Sequence, residues 1–361
     1  VREVRQAMTV KIKLEPNKAQ LELIKSSSQA YINAINTLVD EMVKAQAPTQ
    51  KTTKHIDVPL NSSVKNQVIR DAKSVFKKAK KIEYKKVPIL KKPIIVWNNQ
   101  NYTIHHASIK VPFIVGGKSQ KIEIKALISD YERNLIESAS KLGTLRITRK
   151  GTKYVAQIAI ETDVKEQINT KVMGIDLGIK TPAVCCTDEN KVKFVGNGRE
   201  NKYIRRKHNS RRKKLGKAKK LKAIKKSQNK EQRWMNDKDH KISREIVDFA
   251  IQHNVGIIRL EKLANIRKQT SKSRKNNHSL SNWSFYRLAQ YIEYKANLVG
   301  IKVEYVDPKY TSQQCPKCAE RNKAKDRQYK CSNCGHTDHR DLVGAKNIIH
   351  APVLDGHSQV A

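Results

Sequence analysis

Three acidic residues stand where a chain rarely places a charge. Asp176 closes the apolar run Val172-Met-Gly-Ile-Asp176, and Gly178 turns the chain back just beyond it. Glu261 closes a second such run, Val255-Gly-Ile-Ile-Arg-Leu-Glu261, and Asp341 opens the small-residue segment Asp341-Leu-Val-Gly-Ala-Lys-Asn-Ile-Ile349. A carboxylate at the end of a buried strand must be hydrogen-bonded, paired or metal-bound, because an isolated buried charge is too costly. Each residue alone has a plainer reading, as a turn residue for Asp176 and a helix N-cap for Asp341. Together they form a set that can converge on a pair of Mg²⁺ ions. Mg²⁺ takes hard oxygen ligands, and two-metal sites hold their ions about 3.5–4 Å apart.

Four of the six cysteines, Cys315, Cys318, Cys331 and Cys334, follow C-x₂-C-x₁₂-C-x₂-C, which predicts one tetrahedral Zn²⁺ in a ribbon. With four thiolates the shell is full, so the site is structural, and His336 and His339 are expected to face solvent or nucleic acid. Cys185 and Cys186 read as buried core thiols. The segment Lys202 to Arg233 is the most basic run of the chain. A charge run is ordinarily a solvated helix face or a disordered tail. Between two candidate metal-binding acids it is expected instead to follow a phosphate backbone, through Arg205, Arg206, Lys207, Arg211, Arg212, Lys213 and Lys214.

The whole composition points the same way. The 361 residues carry 74 Lys and Arg against 33 Asp and Glu, a net charge of +41 that calls for a polyanionic partner. No apolar run is long enough for a membrane span, so the polyanion is expected to be nucleic acid. The first residues lack the apolar core of a secretory signal, and Met8 is expected to be a native start.

The elements that must position these residues divide into two kinds. Met8–Leu14 alternates as a strand, and Glu15-Pro-Asn17 leads into a helix to about Ala47. Asn61 is placed to cap a second helix to about Lys81. Short strand patterns then run from near Val87 to Ile160, with a hairpin turn at Lys150-Gly-Thr. They suggest a β-barrel completed by the first strand. From Asp176 onward the pattern is α/β: strands at 183–187 and 193–195, a helix Asp239–His253, and the Glu261 strand. A polar segment Arg267–Ser281 is expected to be a mobile loop. An amphipathic helix Trp283–Val299, a strand 301–306 and the ribbon complete the order, with an irregular tail after Ile349.

The motifs, taken in order, resemble the TnpB family of transposon-encoded, RNA-guided DNA endonucleases, relatives of the type V CRISPR effectors. The resemblance rests on Gly174-Ile-Asp176-Leu-Gly, Arg259-Leu-Glu261-Lys-Leu, Trp283-Ser-Phe-Tyr-Arg-Leu, Tyr310-Thr-Ser-Gln-Gln-Cys-Pro-Lys-Cys318, Tyr329-Lys-Cys-Ser-Asn-Cys-Gly335 and Arg340-Asp341-Leu-Val-Gly-Ala-Lys-Asn. It implies a multidomain α+β and α/β protein. A wedge β-barrel (residues 1–15 and 86–168) would carry an inserted helical recognition module (16–85). An RNase H-like RuvC nuclease domain (169–310 and 339–352) would carry an inserted zinc ribbon (311–338), with a tail at 353–361.

Asp176, Glu261 and Asp341 fall on the catalytic positions of that family. The implied chemistry is phosphodiester hydrolysis with two Mg²⁺, Asp176 bridging both ions and Glu261 and Asp341 each supporting one. The implied partners are a guide RNA from the transposon end and double-stranded target DNA, with one protein monomer per RNA in the cytoplasm of a bacterial or archaeal cell. One departure is plain: the family's usual Asp-x-Asn-Ala-Ala reads Asp341-Leu-Val-Gly-Ala here. The competing readings are a compact type V CRISPR effector, a non-cleaving RNA-guided repressor and a strand-transferring transposase.

Overall fold

A computed structural model describes residues 3–263, 277, 283–322 and 326–354. The chain divides into two compact units, Arg5–Asp163 and the part from Val164 onward together with the first four residues. Among the described residues no helix is long and apolar enough to cross a membrane.

The first unit is built on a seven-stranded sheet in the order β2-β6-β7-β1-β5-β4-β3. Its strands are β1 (Glu3–Leu14), β2 (Ile94–Trp97), β3 (Thr103–Ile104), β4 (Ser108–Val115), β5 (Lys118–Leu127), β6 (Lys141–Lys150) and β7 (Lys153–Lys165). The turn expected at Lys150 is present, with Gly151 at φ +63 joining β6 to β7. Helix α1 (Lys18–Ala45) starts on a capping box in which Asn17 accepts from the Gln20 amide and Gln20 answers to Asn17. It ends two residues before the expected Ala47, where Gln46 turns left-handed. Helix α2 (Ser62–Lys81) follows Asn61, whose side chain donates to Ser119 instead of capping the helix. Ile24, Ile35, Val68, Trp97, Ile124 and Ile158 belong to one core, so the two helices and the sheet are buried together. The capping box Ser129-Asp-Tyr-Glu132 starts a further helix, α3 (Asp130–Glu137), which the strand-dominated sequence reading passed over.

The second unit is organised on a five-stranded sheet of order β10-β9-β8-β11-β12. These are β8 (Val172–Asp176), β9 (Ala183–Thr187), β10 (Val192–Val195), β11 (Ile257–Glu261) and β12 (Lys302–Val306). β8, β11 and β12 run parallel, whereas β9 opposes β8 and β10 opposes β9. Helices α5 (Leu221–Gln252) and α6 (Phe285–Asn297) cover one face, with Ile246 and Ile292 against Met173, Ile175, Ile258 and Leu260. Helix α7 (Arg340–His350) covers the other, where Ala345 and Ile349 meet Val184 and Cys186. β9 is therefore buried along its whole length. Its two thiols are fully buried, one in each face, and burial pushes Cys186 up to about 11.

Two expectations need correcting. The basic run is a pair of helices, α4 (Gly198–Lys217) and α5, and α5 starts at Leu221 rather than Asp239. Lys and Arg are good helix formers, and acids at Glu200 and Glu231 pair with Lys238 and Arg212 across the two helices, at 2.9 and 2.6 Å. Charge repulsion alone would have suggested a later start. The segment after Ile349 is also not wholly irregular. Val353 bridges Val306, and Leu354 donates to the Tyr305 carbonyl, extending the β12 edge. The expected loop Arg267–Ser281 lies outside the described residues apart from Asn277.

Candidate metal and nuclease centre

Two glycines allow the acidic residues to approach one another. A Cβ on Gly174 would lie 2.1 Å from the Ala345 carbonyl oxygen, so this strand position must be glycine for α7 to lie directly on β8. A Cβ on Gly344 would come 3.1 Å from Asp176 Oδ2, which puts the Asp176 carboxylate against the first turns of α7. Along β8, Met173 and Ile175 face α5 and α6, so the alternating Gly174 and Asp176 face α7.

Leu260 aligns with Ile175 in the parallel ladder, which makes Glu261 and Asp176 neighbours at the same strand ends. They share a face, since Arg259, two residues earlier on β11, donates to the Ile349 carbonyl at the end of α7. Asp341 lies in the first turn of α7 and is buried. It is not the N-cap of its helix. His339 holds that position, its Nδ1 accepting from the Asp341 amide at 3.3 Å. The Asp341 carboxylate is instead free of capping and takes a hydrogen bond from Arg327.

The three acids form one electrostatic group. Burial, then the charges of Glu261 and Asp341, hold the Asp176 carboxyl well above its usual range, against the weaker pull of Arg340 and Arg327. Burial also raises Glu261, opposed by a hydrogen bond from Thr311. Carboxylates so placed repel one another in a low dielectric, and a divalent cation between them removes that cost. The donor set is oxygen only, which suits Mg²⁺. Among the described residues the closest cluster of ligand atoms is the cysteine quartet.

All four thiols lie within 4.8 Å of one another. Cys315 and Cys334 sulfurs are 3.6 Å apart, and Cys318 and Cys331 sulfurs 3.5 Å. These are too far for disulfides, at about 2.04 Å, and close to the edge of a tetrahedron with metal–sulfur bonds of about 2.3 Å. The quartet can hold a metal ion such as Zn²⁺. Within the quartet Cys331 is drawn down, first by the Cys334 backbone amide, while Cys334 is pushed up by burial and the neighbouring thiols. The ribbon's strands, β13 (Gln328–Lys330) and β14 (Thr337–His339), pair on either side of the second knuckle, and β14 leads straight into α7. His336 and His339 do not face freely outward. His336 is largely buried beside Asp338, and His339 caps α7 with its ring edge-on to Phe194.

The seven basic residues of α4 expected to follow a phosphate backbone divide by the helical period. Arg206, Lys207, Arg211, Lys213 and Lys214 are exposed. Arg205 and Arg212 turn inward to Glu231 of α5, at 3.9 and 2.6 Å. Tyr203, more than half exposed, joins the outer face, where Arg206 and Lys207 follow it one turn on.

With this geometry in view, comparison with known proteins is decisive on family. Residues 156–267 match a family described as a probable transposase, and residues 285–348 match the Cas12f1-like TNB domain. A TnpB-like protein of Methanocaldococcus jannaschii is 33% identical over 250 residues, covering 65% of this chain and 88% of that protein. The chain belongs to the TnpB-like family. The CRISPR-associated endodeoxyribonuclease Cas12f1 of Sulfoacidibacillus thermotolerans is 32% identical over 261 residues, and the match spans 66% of this chain but only 58% of Cas12f1. In fold, the chain is similar to a Cas12f1 solved with its sgRNA and target DNA, at TM-score 0.66 and 20% identity, over 91% of this chain and 81% of that one. The mixed α/β, multidomain fold is thus similar to that of Cas12f1.

Sequence reasoning missed Thr311, Arg327 and the capping role of His339. Thr311 sits inside the Tyr310-Thr-Ser-Gln motif, but its link to Glu261 spans 50 positions and leaves no local signature.

Proposed function

We propose that this protein is an RNA-guided DNA endonuclease that cuts target DNA by two-metal phosphodiester hydrolysis, with a guide RNA drawn from a transposon end. The observation that carries the reading is the convergence of Asp176, Glu261 and Asp341, from two parallel strands and a helix, on one face of the five-stranded sheet. A five-stranded sheet in which β9 alone runs against the other four strands supports the RNase H-like assignment of this unit. The seven-stranded sheet with α1 and α2 is read as the wedge barrel and recognition module. The relatives add support: one is named an endodeoxyribonuclease, and a similar fold was solved with sgRNA and target DNA.

In this reading Asp176, Glu261 and Asp341 hold two Mg²⁺, and Cys315, Cys318, Cys331 and Cys334 hold one structural Zn²⁺. Bound Mg²⁺ would supply an activated water and charge stabilisation at the leaving oxygen. The protein's own part is to aim the carboxylates. Arg327 orients Asp341, Thr311 orients Glu261, and α7 sets the position of Asp176. The exposed face of α4 contacts phosphates, and guide pairing supplies sequence specificity.

The test is Asp176→Ala in the guide-loaded protein. Cutting of a matched target is expected to vanish with RNA binding unchanged; retained cutting would refute the assignment. Sequencing the copurifying RNA separates the sources of the guide. An RNA from the adjacent element end supports the transposon reading, and one from a repeat array moves the protein to the CRISPR side.

A further inference from the structure

Thr311 lies just before the first cysteine knuckle and is only 5% exposed. It is the hydrogen-bond donor that the described residues supply to Glu261, reaching Oε1. Its one hydroxyl proton has a second acceptor in reach, the Pro308 carbonyl at 3.1 Å, but an ionised carboxylate is the stronger. Thr311 is itself held. The Asn347 amide on α7 stands 2.7 Å from the Thr311 carbonyl and 2.7 Å from the Gln314 carbonyl, one N–H for each. Asn347 lies on the helix that carries Asp341, two turns further on. A hydrogen-bonded chain therefore runs from α7 through the segment 311–314 to the end of β11.

We infer that Thr311 is a positioning residue for Glu261: it engages Oε1, leaves Oε2 as the oxygen offered to a divalent cation, and is fixed to the Asp341 helix by Asn347. A buried carboxylate without this anchor can turn about its terminal bond, and each metal encounter must then reorder it. Partners of metal ligands that act in this way are worth about 10–100-fold in metal affinity. The inference rests on the reading of Glu261 as a metal ligand.

The test uses the full-length, guide-loaded protein with Mn²⁺ as the probe. Binding is followed by electron paramagnetic resonance, with Glu261→Ala subtracted as the background from RNA and other sites, and DNA cleavage is followed over the same Mn²⁺ range. Thr311→Val keeps the side-chain volume and removes the hydroxyl. It is expected to weaken Glu261-dependent Mn²⁺ binding about tenfold or more and to raise the half-saturating Mn²⁺ for cleavage equally, with much of the rate recovered at saturation. Thr311→Ser is expected to restore both, and Asn347→Ala to shift them the same way as Thr311→Val but less. Bound zinc and guided DNA binding serve as folding controls. If Thr311→Val binds Mn²⁺ like the wild type, or Thr311→Ser fails to rescue a zinc-replete protein, the positioning role is wrong. If the wild type itself shows no Glu261-dependent Mn²⁺ binding, the metal reading of the triad falls, and this role with it.

Discussion

Lys295 carries an ammonium group into the interface between α5 and α6. It donates to the His240 carbonyl and to Ser243 Oγ, and it is 5% exposed. Burial, with Arg244 nearby, lowers it to about 8. For a base with a lowered value the sign follows directly. Below about pH 8 the group is charged folded or unfolded, and the folded state bears the full cost of the buried charge. Between about 8 and the ordinary 10.5 the unfolded chain binds the extra proton, so stability rises with pH. Relative to Lys295→Met, the wild type is expected to gain stability across that window by up to about 1.4 kcal/mol per pH unit in urea unfolding. Equal slopes for the two proteins would show that Lys295 titrates normally. Ser243 also donates to the His240 carbonyl, at 3.0 Å, so replacing Lys295 is not expected to orphan that acceptor. At this same scale Gly174→Ala is expected to cost about 1–3 kcal/mol, because its methyl would meet the Ala345 carbonyl on α7. Thermal unfolding of that variant checks the close approach of strand and helix.

At the scale of elements, what the sequence made legible follows from local chemistry. The strands that carry Asp176 and Glu261 were readable because apolar runs of strand length end at each acid, and the ribbon was readable because thiol spacing encodes it. The start of α5 was not, since a lysine-rich stretch looks solvated until its partner helix is known. Nor was the division of the basic residues on α4, which depends on Glu231 arriving from α5. That division predicts two different phenotypes. Arg206→Gln and Lys207→Gln are expected to weaken nucleic-acid binding and to flatten its salt dependence by about one unit of log–log slope per lost phosphate contact. Arg212→Gln is expected to leave that slope nearly unchanged and to lower stability by about 1 kcal/mol, through the loss of its partly buried pair. Binding titrations at several salt concentrations, beside denaturant unfolding, distinguish the two. An identical loss of slope for all three would mean that Arg212 also reaches phosphate.

Across the whole molecule, the net charge of +41 sets a problem that the folded chain alone does not solve, and the acidic centre is the local exception to it. Holding carboxylates together there requires mechanical support from the ribbon. Val343 of α7 is buried with Cys315, Tyr329 and Cys331, so the interior of the ribbon and the helix of Asp341 form one small core. The ribbon also supplies Arg327, whose side chain meets Asp341 and whose carbonyl accepts from the Arg340 amide at 2.7 Å. A zinc ion held by the four thiolates would thus act on catalysis without touching substrate. Releasing it, with a thiol-reactive reagent or by Cys331→Ser, is expected to lower the melting temperature and to reduce DNA cleavage at saturating Mg²⁺ by about tenfold or more. Hydrogen exchange supplies the mechanistic readout. The Arg340 and Asp341 amides should lose protection on zinc release, while the amides of β8 and β11 keep theirs. If cleavage falls but those amides stay protected, the ribbon acts on the DNA and not on Asp341. If neither changes, the shared core around Val343 holds without the metal.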